Sequence, residues 1–485
     1  MNLPHDFVSY TRQLMGDALF DRLASALDTA ETPASIRLNP LKSGGADAAP
    51  ALYDCAVPWC PSTGRYLKSR PNYTFDPLLH AGAYYVQEAA SMFVDYVVRQ
   101  LISSPVLMLD LCAAPGGKST ALRAALPEGS LLMANEPMRT RAQILSENLQ
   151  KFGHEDVIVT NNYPRDYRKA AITFDAILAD VPCSGEGMFR KDDGARAEWS
   201  MQNVDNCWRL QREIISDIWE CLKPGGLLIY STCTFNAHED EENVQWIASE
   251  LGADILELPI DNAWNITGAL EGEAPVCRFM PGVSRSEGLF MAVLRKHGHT
   301  DTMAIDCFDN SGTARPTRKK ARAMAAKGST RRPAASDVTV PLLHAERFGT
   351  VQQADSVVAI PTRWAELYHR ACASLKVIHA GVTLGTAKGR DIIPSQSLAM
   401  SRLLQPEAFA RVELSYQEAM SFLRKEAVPL PDGTPRGYVA VTYHGHTLGF
   451  EKNIGNRANN LYPQEWRIKS THVPTDMVEV ICKTL

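Results

Sequence analysis

The sequence predicts an α/β protein whose centre is a doubly wound, mostly parallel sheet. Five short apolar runs have the length and composition of buried strands, and helix-like stretches separate most of them. Alternation of this kind places helices on both faces of a parallel sheet. A glycine-rich turn joins the first strand to the first helix, at the edge where such sheets bind ligands. The expected strands are 106–111, 131–135, 157–160, 176–180 and 227–231, closed by 289–295, and the expected helices are 117–125, 138–152, 207–222 and 238–251.

The chain of 485 residues is too long for one ordinary core, so two or three domains are expected. A hydrophobic content of 45% and a charged content of 22% are typical of a globular protein in water. On this division, a chain that ends after Lys296 should fold by itself. The expected parts are an N-terminal module at 1–75, a catalytic α/β domain at 76–300, a flexible basic linker at 301–340 and a small β-rich domain at 341–485.

Nothing in the sequence indicates secretion or membrane insertion. The opening MNLPHDFVSYTRQ lacks the basic-then-apolar pattern of a signal peptide, and no apolar run approaches 18 residues. Eleven cysteines, an odd number, argue against a disulfide framework. We therefore expect a cytoplasmic protein with reduced thiols and no membrane partner.

Charge is distributed unevenly along the chain. Residues 1–310 carry 26 Lys and Arg against 41 Asp and Glu, a net −15, whereas residues 311–485 carry 24 against 14, a net +10. The segment 311–336 alone holds eight basic residues and no acidic one. A polyanionic partner would be attracted mainly by the second part of the chain. The segment 311–336 is either a clamp for phosphates or a solvated spacer.

The elements before the central sheet follow simpler patterns. Residues 1–30 have apolar side chains at roughly helical spacing, and 35–42 predicts a short strand ending in a turn. The run 85–98 is expected to be an apolar helix that leads to the glycine-rich turn. Gln87 and Glu88 in this run would satisfy backbone groups or face a ligand, and the structural role is the commoner one.

The glycine-rich turn lies within VLMLDLCAAPGGKST, residues 106–120. Glycines here let a ligand approach the backbone, and the start of the next helix offers free N–H groups to an anion. The turn is not a P-loop, because that motif needs glycine where Cys112 stands. Glu136 follows Gly116 by 20 residues, where an acid commonly binds ribose hydroxyls. These features predict an adenosine-containing cofactor; the alternative is an ordinary turn with a surface glutamate.

Two cysteines follow neighbouring strands of the predicted sheet. Asp180 and Cys183 come after one strand, and Cys233 comes after the next. Because the carboxyl ends of parallel strands meet at one edge, both thiols should lie beside the glycine-rich turn. The alternative for each cysteine alone is a buried, small apolar side chain.

Three stretches resemble the motifs of one enzyme family, in the expected order. DLCAAPGGKST resembles the S-adenosylmethionine motif of the Sun-type RNA (cytosine-5)-methyltransferases, and LADVPCSGEGMFRKD and YSTCTFNAHEDEENV resemble that family's two cysteine motifs. Residues 381–401 and 437–468 look like the PUA-like RNA-binding part of bacterial RsmF-type 16S ribosomal RNA methyltransferases. The resemblance implies a Rossmann-like, S-adenosyl-L-methionine-dependent methyltransferase fold with a PUA-like C-terminal domain.

The resemblance also implies a partner, which is ribosomal RNA of the small subunit or its precursor. A transfer RNA (cytosine-5)-methyltransferase and a non-catalytic RNA-binding assembly factor are the alternatives. Lys452, Tyr462 and Trp466 could contact RNA, although buried aromatic side chains are commoner. The oligomeric state is left open.

Methylation of cytosine carbon 5 needs groups that the two strand ends offer. Carbon 5 becomes nucleophilic only after a thiolate adds to carbon 6, so the site needs a cysteine, a partner for the N3 edge and a proton acceptor. Spacing does not say which cysteine attacks. The resemblance implies that Cys233 is the nucleophile, that Cys183 assists release, and that Asp180 contacts the target base.

A set of cofactor-binding residues, without a metal, follows from the same resemblance. Arg141 matches a family position after the ribose acid. Family members often place an aspartate near the adenine amine, where this chain has Asn162 or Tyr163. The expected cofactor residues are Cys112, Ala113, Ala114, Pro115, Gly116, Gly117, Lys118, Glu136, Arg141, Asn162 and Asp180.

Overall fold

The structure is a computed structural model that describes residues 3–29, 32–298, 341–388, 391–470 and 472–483. The predicted basic linker, including the segment 311–336, lies outside the described residues. Among the described helices, none is long and apolar enough to cross a membrane.

The N-terminal module consists of one long helix and a small antiparallel sheet. The helix kinks at Gly16, whose φ of 76° and ψ of 163° are not helical. The strands are ordered β3-β4-β1-β5. The elements are α1 (His5–Asp28), β1 (Ala34–Leu38), β2 (Ala46–Ala48), β3 (Tyr53–Ala56), β4 (Gly64–Leu67), α2 (Pro77–His80) and β5 (Tyr84–Val86).

The helix predicted over 85–98 is wrong in its first half. Tyr84–Val86 is a strand that pairs antiparallel with β1, and the helix begins only at Phe93. Tyr and Val favour strands, and backbone pairing with Ile36 and Leu38 decides the conformation. A pairing partner almost 50 residues away leaves no local sequence signal.

The central sheet confirms the predicted α/β fold. Its order is β11-β13-β10-β9-β6-β7-β8-β16, with β6 to β10 parallel and β13 antiparallel to β10. The elements up to β13 are α3 (Phe93–Leu101), β6 (Leu107–Asp110), α4 (Gly117–Ala125), β7 (Leu131–Asn135), α5 (Arg139–Phe152), β8 (Val157–Thr160), α6 (Asp166–Ala170), β9 (Phe174–Asp180), α7 (Asp193–Glu198), α8 (Met201–Ile218), β10 (Leu222–Thr232), α9 (Glu241–Glu250), β11 (Ala253–Leu256), β12 (Cys277–Phe279) and β13 (Leu289–Lys296).

Alternate residues of the parallel strands supply two cores, one on each face of the sheet. Leu109 and Met133 belong to one core, whereas their neighbours Met108 and Leu132 belong to the other. Side chains of a strand point alternately to its two faces. Strands buried on both faces therefore appear in the sequence as nearly continuous apolar runs, and these runs allowed the strands to be predicted.

The C-terminal region is rich in short strands, as predicted. Two four-stranded sheets have the orders β14-β15-β17-β18 and β19-β20-β21-β22. The elements are β14 (Phe348–Gln353), β15 (Ser356–Pro361), α10 (Ala365–Ser374), β16 (Val377–Ala380), β17 (Val382–Lys388), β18 (Asp391–Pro394), α11 (Gln396–Met400), β19 (Ala410–Glu413), α12 (Tyr416–Leu423), β20 (Gly437–Tyr443), β21 (His446–Asn453), β22 (Ala458–Asn460) and β23 (Ile481–Lys483).

The C-terminal region is built into the rest of the molecule. β16 pairs antiparallel with β8 and so extends the central sheet. β23 pairs with β2 of the N-terminal module. Trp364 and Leu367 are buried in one core with the central strands, and Phe422 shares another with the N-terminal module. The expectation that a chain ending after Lys296 folds by itself is at odds with this packing.

Candidate active site

The glycine-rich turn is held against the ends of two central strands. The Ala113 N–H donates to the Asn135 carbonyl at 2.8 Å. Gly116 has a φ of 113°, which is left-handed, and a Cβ there would lie 3.3 Å from side-chain atoms of Leu145 and Asn148. The left-handed conformation therefore favours glycine at 116, and the space for a side chain there is tight. The turn delivers Gly117 as the first residue of α4.

A cavity of about 210 Å³ lies between this turn and the N-terminal module. Seven residues predicted for the cofactor line it, together with Asp110 and parts of β5 and of the loop after it. The sequence analysis gave Tyr85, Val86 and Ser91 no role in the site, because only the tertiary structure brings β5 and this loop over the turn. The predicted residues in the lining are Cys112, Ala113, Ala114, Pro115, Gly117, Lys118 and Asp180.

Gln87 and Glu88 also line this cavity, but their polar atoms make structural hydrogen bonds. Gln87 Oε1 accepts from Arg37 Nε at 2.7 Å. Glu88 accepts from the backbone N–H groups of Ser91 at 2.9 Å and Glu287 at 3.1 Å. These contacts agree with the structural role expected from the sequence.

Asp110 is a residue that the sequence analysis missed. It is fully buried at the end of β6, and Ser119 Oγ donates to its Oδ2 at 2.6 Å. Its other oxygen, Oδ1, has no hydrogen-bond partner within the described part of the chain. Burial raises the pKa of Asp110 to about 7. A carboxyl group at the end of a buried strand, next to the turn, was the signal that could have identified it.

Because the pKa of Asp110 is raised, the free energy of unfolding of the cofactor-free protein should depend on pH. The unfolded chain releases this proton near pH 4, about the ordinary aspartate value, whereas the folded chain holds it until about pH 7. Stability from this group therefore falls as pH rises from about 4 to 7. We expect Asp110→Asn to stabilise the cofactor-free protein at pH 8 by about 1–3 kcal/mol and to give little advantage at pH 4.

Thermal unfolding of both proteins across this pH range measures the effect of Asp110. The exposed Asp432 provides a matched Asp→Asn control that should change neither stability nor its pH dependence. A constant difference between Asp110→Asn and the wild type at all pH values would contradict the assignment.

Glu136 and Arg141 form an ion pair beside the turn. Glu136 is buried at the end of β7, where its Oε1 accepts from the Met138 N–H at 2.9 Å. Its Oε2 lies 3.5 Å from Arg141 Nη1. Arg141 Nη2 also donates to the Ala114 carbonyl at 3.0 Å. The pair therefore links the acid after β7 to the backbone of the turn.

Asn162 is committed to a different contact from the one expected. Its side-chain oxygen accepts from the Lys376 N–H at 3.0 Å, and its Nδ2 donates to the Lys376 carbonyl at 3.4 Å. Both groups tie the end of β8 to the residue just before β16. These two hydrogen bonds favour a structural role for Asn162 over the expected contact with adenine.

The two cysteines meet at the carboxyl ends of β9 and β10. These strands are parallel neighbours, with Asp180 opposite Ser231. Cys183 Sγ and Cys233 Sγ lie 3.1 Å apart, and both are free thiols. The thiols are therefore close enough to share a proton.

A lysine and an aspartate that line the cavity form an ion pair. Lys118 Nζ donates to Asp180 Oδ2 at 2.9 Å, and Ser231 Oγ donates to Asp180 Oδ1 at 2.7 Å. Burial opposes the charge on Lys118, but Asp180 raises the pKa of Lys118 above its ordinary value. A carboxylate has about four acceptor positions, so Asp180 can accept further hydrogen bonds from a ligand.

The two thiols are electrostatically different. The hydrogen bond between the two thiols lowers the pKa of Cys233, although burial and the Asp180 carboxylate act in the opposite direction, and the Lys118 ammonium lowers it further. The same hydrogen bond and burial raise the pKa of Cys183. Because the thiolate is the nucleophilic form, a lowered pKa at Cys233 agrees with the role of nucleophile that the resemblance implies for it.

The C-terminal aromatic residues are mainly structural. Tyr462 is fully buried, and its ring lies 6.3 Å from that of the half-buried Trp466. Lys452 Nζ lies 4.9 Å from the ring centroid of Tyr438. Buried packing, which is the commoner explanation, therefore applies to Tyr462.

One group of possible metal ligands occurs among the described residues, at His154, Glu155 and Asp156. Arginine side chains already neutralise its carboxylates. Arg402 binds Glu155 through two hydrogen bonds of 2.8 and 2.9 Å, and Arg363 donates to Asp156. These pairs join the central sheet to the C-terminal region, which is a structural role.

Three family sequence models match successive parts of the chain. The model described as the N-terminal domain of 16S rRNA methyltransferase RsmF matches residues 3–89. The model described as 16S rRNA methyltransferase RsmB/F matches residues 103–295, which include the turn and both cysteines. The model described as the methyltransferase RsmF PUA domain matches residues 409–468.

Curated relatives are similar over nearly the whole chain. Ribosomal RNA small subunit methyltransferase F of Salmonella agona (strain SL483) is 32% identical, across 95% of this chain and 96% of the relative. The protein of that name from Aliivibrio fischeri (strain MJ11) is 31% identical, across 89% of this chain and 90% of the relative. Among solved structures, NSun6 from Pyrococcus horikoshii with SFG has a TM-score of 0.51 and 19% identity, covering 61% of this chain and 99% of that one. That structural likeness shows a shared fold.

Proposed function

This chain belongs to the RsmB/F family of RNA methyltransferases, with the N-terminal and PUA domains of RsmF members, and we propose that it methylates a cytosine of 16S ribosomal RNA at carbon 5. The reaction proceeds through a covalent bond between Cys233 and carbon 6 of the base. The observation that carries this proposal is the 3.1 Å approach of Cys183 Sγ to Cys233 Sγ beside the cavity. A pair of thiols, one activated and one protonated, suits addition and release better than exocyclic amine methylation, which needs neither.

The residues around the cavity fit S-adenosyl-L-methionine. The unpartnered, buried oxygen of Asp110 suits a cationic group of the cofactor. The N–H groups at the start of α4 suit its carboxylate, and the buried Glu136 carboxylate beside the turn suits ribose hydroxyls. When bound, S-adenosyl-L-methionine supplies the methyl group that carbon 5 takes up.

The chain's own residues prepare the base for that transfer. Asp180, held by Lys118 and Ser231, accepts hydrogen bonds from the cytosine amino group and a protonated N3. A protonated ring draws electrons from carbon 6. The Cys233 thiolate then adds to carbon 6, and the electron pair of the carbon 5–carbon 6 double bond makes carbon 5 nucleophilic.

Release reverses the addition after carbon 5 has been methylated. The negative Cys233 thiolate is a main reason that Cys183 keeps its proton, since its presence raises the pKa of Cys183. Once Cys233 sulfur is bonded to carbon 6 it is uncharged, so Cys183 releases its own proton to water, and the resulting Cys183 thiolate takes the proton from carbon 5. The electrons of that C–H bond re-form the double bond and expel the Cys233 thiolate.

The substrate proposal rests on family membership and on charge. Residues 409–468 of this chain match the PUA domain of RsmF, and this match supports the proposal that the domain binds RNA. Residues 341–485 carry 16 Lys and Arg against 13 Asp and Glu, so most of the basic excess in the second part of the chain comes from 311–336. We propose that this segment contributes non-specific attraction to phosphates and that the folded domains select the site.

Bisulfite sequencing of ribosomal and transfer RNA tests the proposed function. RNA from a strain that lacks this gene should lose one or more 5-methylcytosines in 16S ribosomal RNA, and purified protein with S-adenosylmethionine should restore them. Loss confined to transfer RNA would favour the transfer RNA enzyme instead. An unchanged map, with no restored methyl group, would favour a non-catalytic assembly factor.

The proposed ribose contact predicts a measurable loss of cofactor affinity in Glu136→Ala. Removing one buried partner of a hydrogen-bonded group typically costs about 1–3 kcal/mol. Calorimetry without RNA should therefore show binding that is weaker by roughly 5- to 150-fold. Glu250, exposed at the end of α9, supplies the control Glu250→Ala, which should bind as the wild type does. Unchanged affinity in folded Glu136→Ala would remove Glu136 from the site.

A further inference from the structure

Two buried carboxylates lie behind the cysteine pair and are not used in the proposed reaction. Glu186 and Glu239 are both fully buried. Glu186 follows Cys183 by three residues, and Glu239 follows Cys233 by six. Buried carboxylates are rare unless they are paired or hydrogen-bonded, so their hydrogen-bond partners show what they hold.

Glu186 lies on the loop of Cys183 and binds the loop of Cys233. Its Oε2 accepts from the Phe235 N–H at 2.7 Å. Its Oε1 accepts from Asn236 Nδ2 at 3.1 Å and from Trp199 Nε1 at 3.0 Å. Both Phe235 and Asn236 follow directly after the Cys233 turn, so this carboxylate ties that turn to the loop of Cys183.

Glu239 makes the reciprocal connection. It lies beyond Cys233, and its Oε2 accepts from the Ser184 N–H at 3.0 Å, next to Cys183. Gln211 Nε2 donates to the same oxygen at 2.7 Å and to the Pro182 carbonyl at 2.8 Å. Asn236 Nδ2 donates to Glu239 Oε1 at 2.8 Å. Glu239 therefore ties the residues on either side of Cys183 to the loop of Cys233.

Glycine and hydroxyl groups complete the same junction. The Gly187 N–H donates to the Cys233 carbonyl at 2.7 Å, and a Cβ at 187 would lie 2.6 Å from that oxygen. Ser184 Oγ lies 3.0 Å from Thr234 Oγ1. The two loops thus approach each other more closely than side chains at 187 would allow, and the two carboxylates hold them there.

We propose that Glu186 and Glu239 are positioning residues that hold the two thiols at their working distance, each reaching from the loop of one cysteine to the backbone of the other. This inference rests on the proposed covalent reaction and assigns it two further residues. Each carboxylate accepts hydrogen bonds from three N–H groups. A glutamine in its place could not accept all three, because its NH₂ group would face one of these donors. Loosening the junction separates Cys183 from Cys233 while leaving the cofactor cavity in place.

The consequence falls on release more than on attack. Cys233 can still add to carbon 6 when Cys183 is displaced. Cys183 is then too far from carbon 5 to take its proton. Glu186→Gln and Glu239→Gln should therefore accumulate the covalent RNA adduct while methylating slowly. A role in folding alone would lower the adduct and the turnover by the same factor, because both scale with the fraction of folded protein.

The ratio of adduct to turnover is the decisive measurement. Each full-length variant is incubated with S-adenosylmethionine and unmethylated small-subunit ribosomal RNA, and the denaturant-resistant, nuclease-sensitive complex is quantified beside the rate of methyl incorporation. We expect the ratio to rise at least about tenfold in both variants, with unchanged affinity for S-adenosylmethionine. An unchanged ratio in soluble variants would overturn the proposal. If a glutamine variant does not fold, Glu186→Asp and Glu239→Asp replace it, since they keep the carboxylate on a shorter side chain. The same rise in the ratio of adduct to turnover is expected for them.

Asp175 supplies a matched control in the same sheet. It is a buried carboxylate near the opposite end of β9, where it accepts from the Leu107 N–H at 2.8 Å and from Lys223 Nζ at 2.8 Å. Asp175→Asn should lower stability without changing the ratio, and a raised ratio there would overturn the assignment to the cysteine loops. Cys183→Ala in the same assay reports on the covalent mechanism itself, so a failure of that mechanism is distinguished from a failure of the positioning role.

Discussion

Replacing Cys233 by alanine is expected to abolish both methyl transfer and the covalent complex with RNA. Without a thiol at 233, carbon 6 has no nucleophile and carbon 5 stays unreactive, so the rate should fall by at least about 10³-fold. Replacing Cys183 should have a different effect. The Cys233 thiolate can still attack and the methyl group can still be transferred, but release stalls. Cys183→Ala should therefore accumulate covalently joined to its RNA.

A denaturing gel distinguishes the two variants. A nuclease-sensitive band of higher mass should appear with Cys183→Ala and be absent with Cys233→Ala and with the double variant. Cys207→Ala is a suitable control, because this nearby half-buried cysteine has no part in the proposed reaction and should behave as wild type. The reverse pattern would make Cys183 the nucleophile. Retained activity in both single variants, without an adduct, would end the thiolate mechanism for this protein.

A chain that ends after Lys296 is expected to fail to fold. It lacks β16, which completes the central sheet beside β8, and β23, which pairs with β2. It also exposes apolar side chains that face Phe422 and Trp364 across shared cores. Fully burying one large apolar side chain contributes about 1.5–3 kcal/mol, so the loss of several removes an amount comparable to the net stability of about 5–15 kcal/mol typical of a folded protein.

Circular dichroism and urea titration of the truncated chain measure this effect. The matched control is full-length protein cut by a protease at a site inserted within 311–336, which keeps every described contact but breaks the chain. The cut protein should stay assembled and bind S-adenosylmethionine. Cooperative unfolding of the truncated chain at the wild-type urea midpoint would contradict the expectation and restore an independent catalytic domain.

The parallel strands could be located from sequence because of a simple physical rule. A strand buried on both faces is apolar at most of its positions, so it appears in the sequence as a short, nearly continuous apolar run. The strands 131–135 and 157–160 were predicted with the bounds that the structure has. The edge strands β5 and β16 do not follow this rule. β5 was predicted as helix, and β16 could not be assigned to the central sheet.

The candidate site also has some features that the sequence predicts and others that it does not. Cys183 and Cys233 follow adjacent strand ends, so topology alone brings them to one edge of the sheet. The roles of Asp110 and Asn162 depend on which atoms surround them, and those atoms come from distant parts of the chain. Asn162, for example, binds the backbone of Lys376, 214 residues away.

By itself, the sequence determined the α/β class, the glycine-rich turn, and the strand ends that bring Cys183 and Cys233 together. These features follow from local rules: apolar runs, glycine conformation and the common direction of parallel strands. Only the tertiary structure decided that the two thiols lie 3.1 Å apart, that Glu186 and Glu239 cross between the cysteine loops, and that the C-terminal region completes the central sheet. Those outcomes depend on distances of a few ångströms between residues far apart in the chain, and hydrogen bonds, pKa values and packing all vary steeply over such distances.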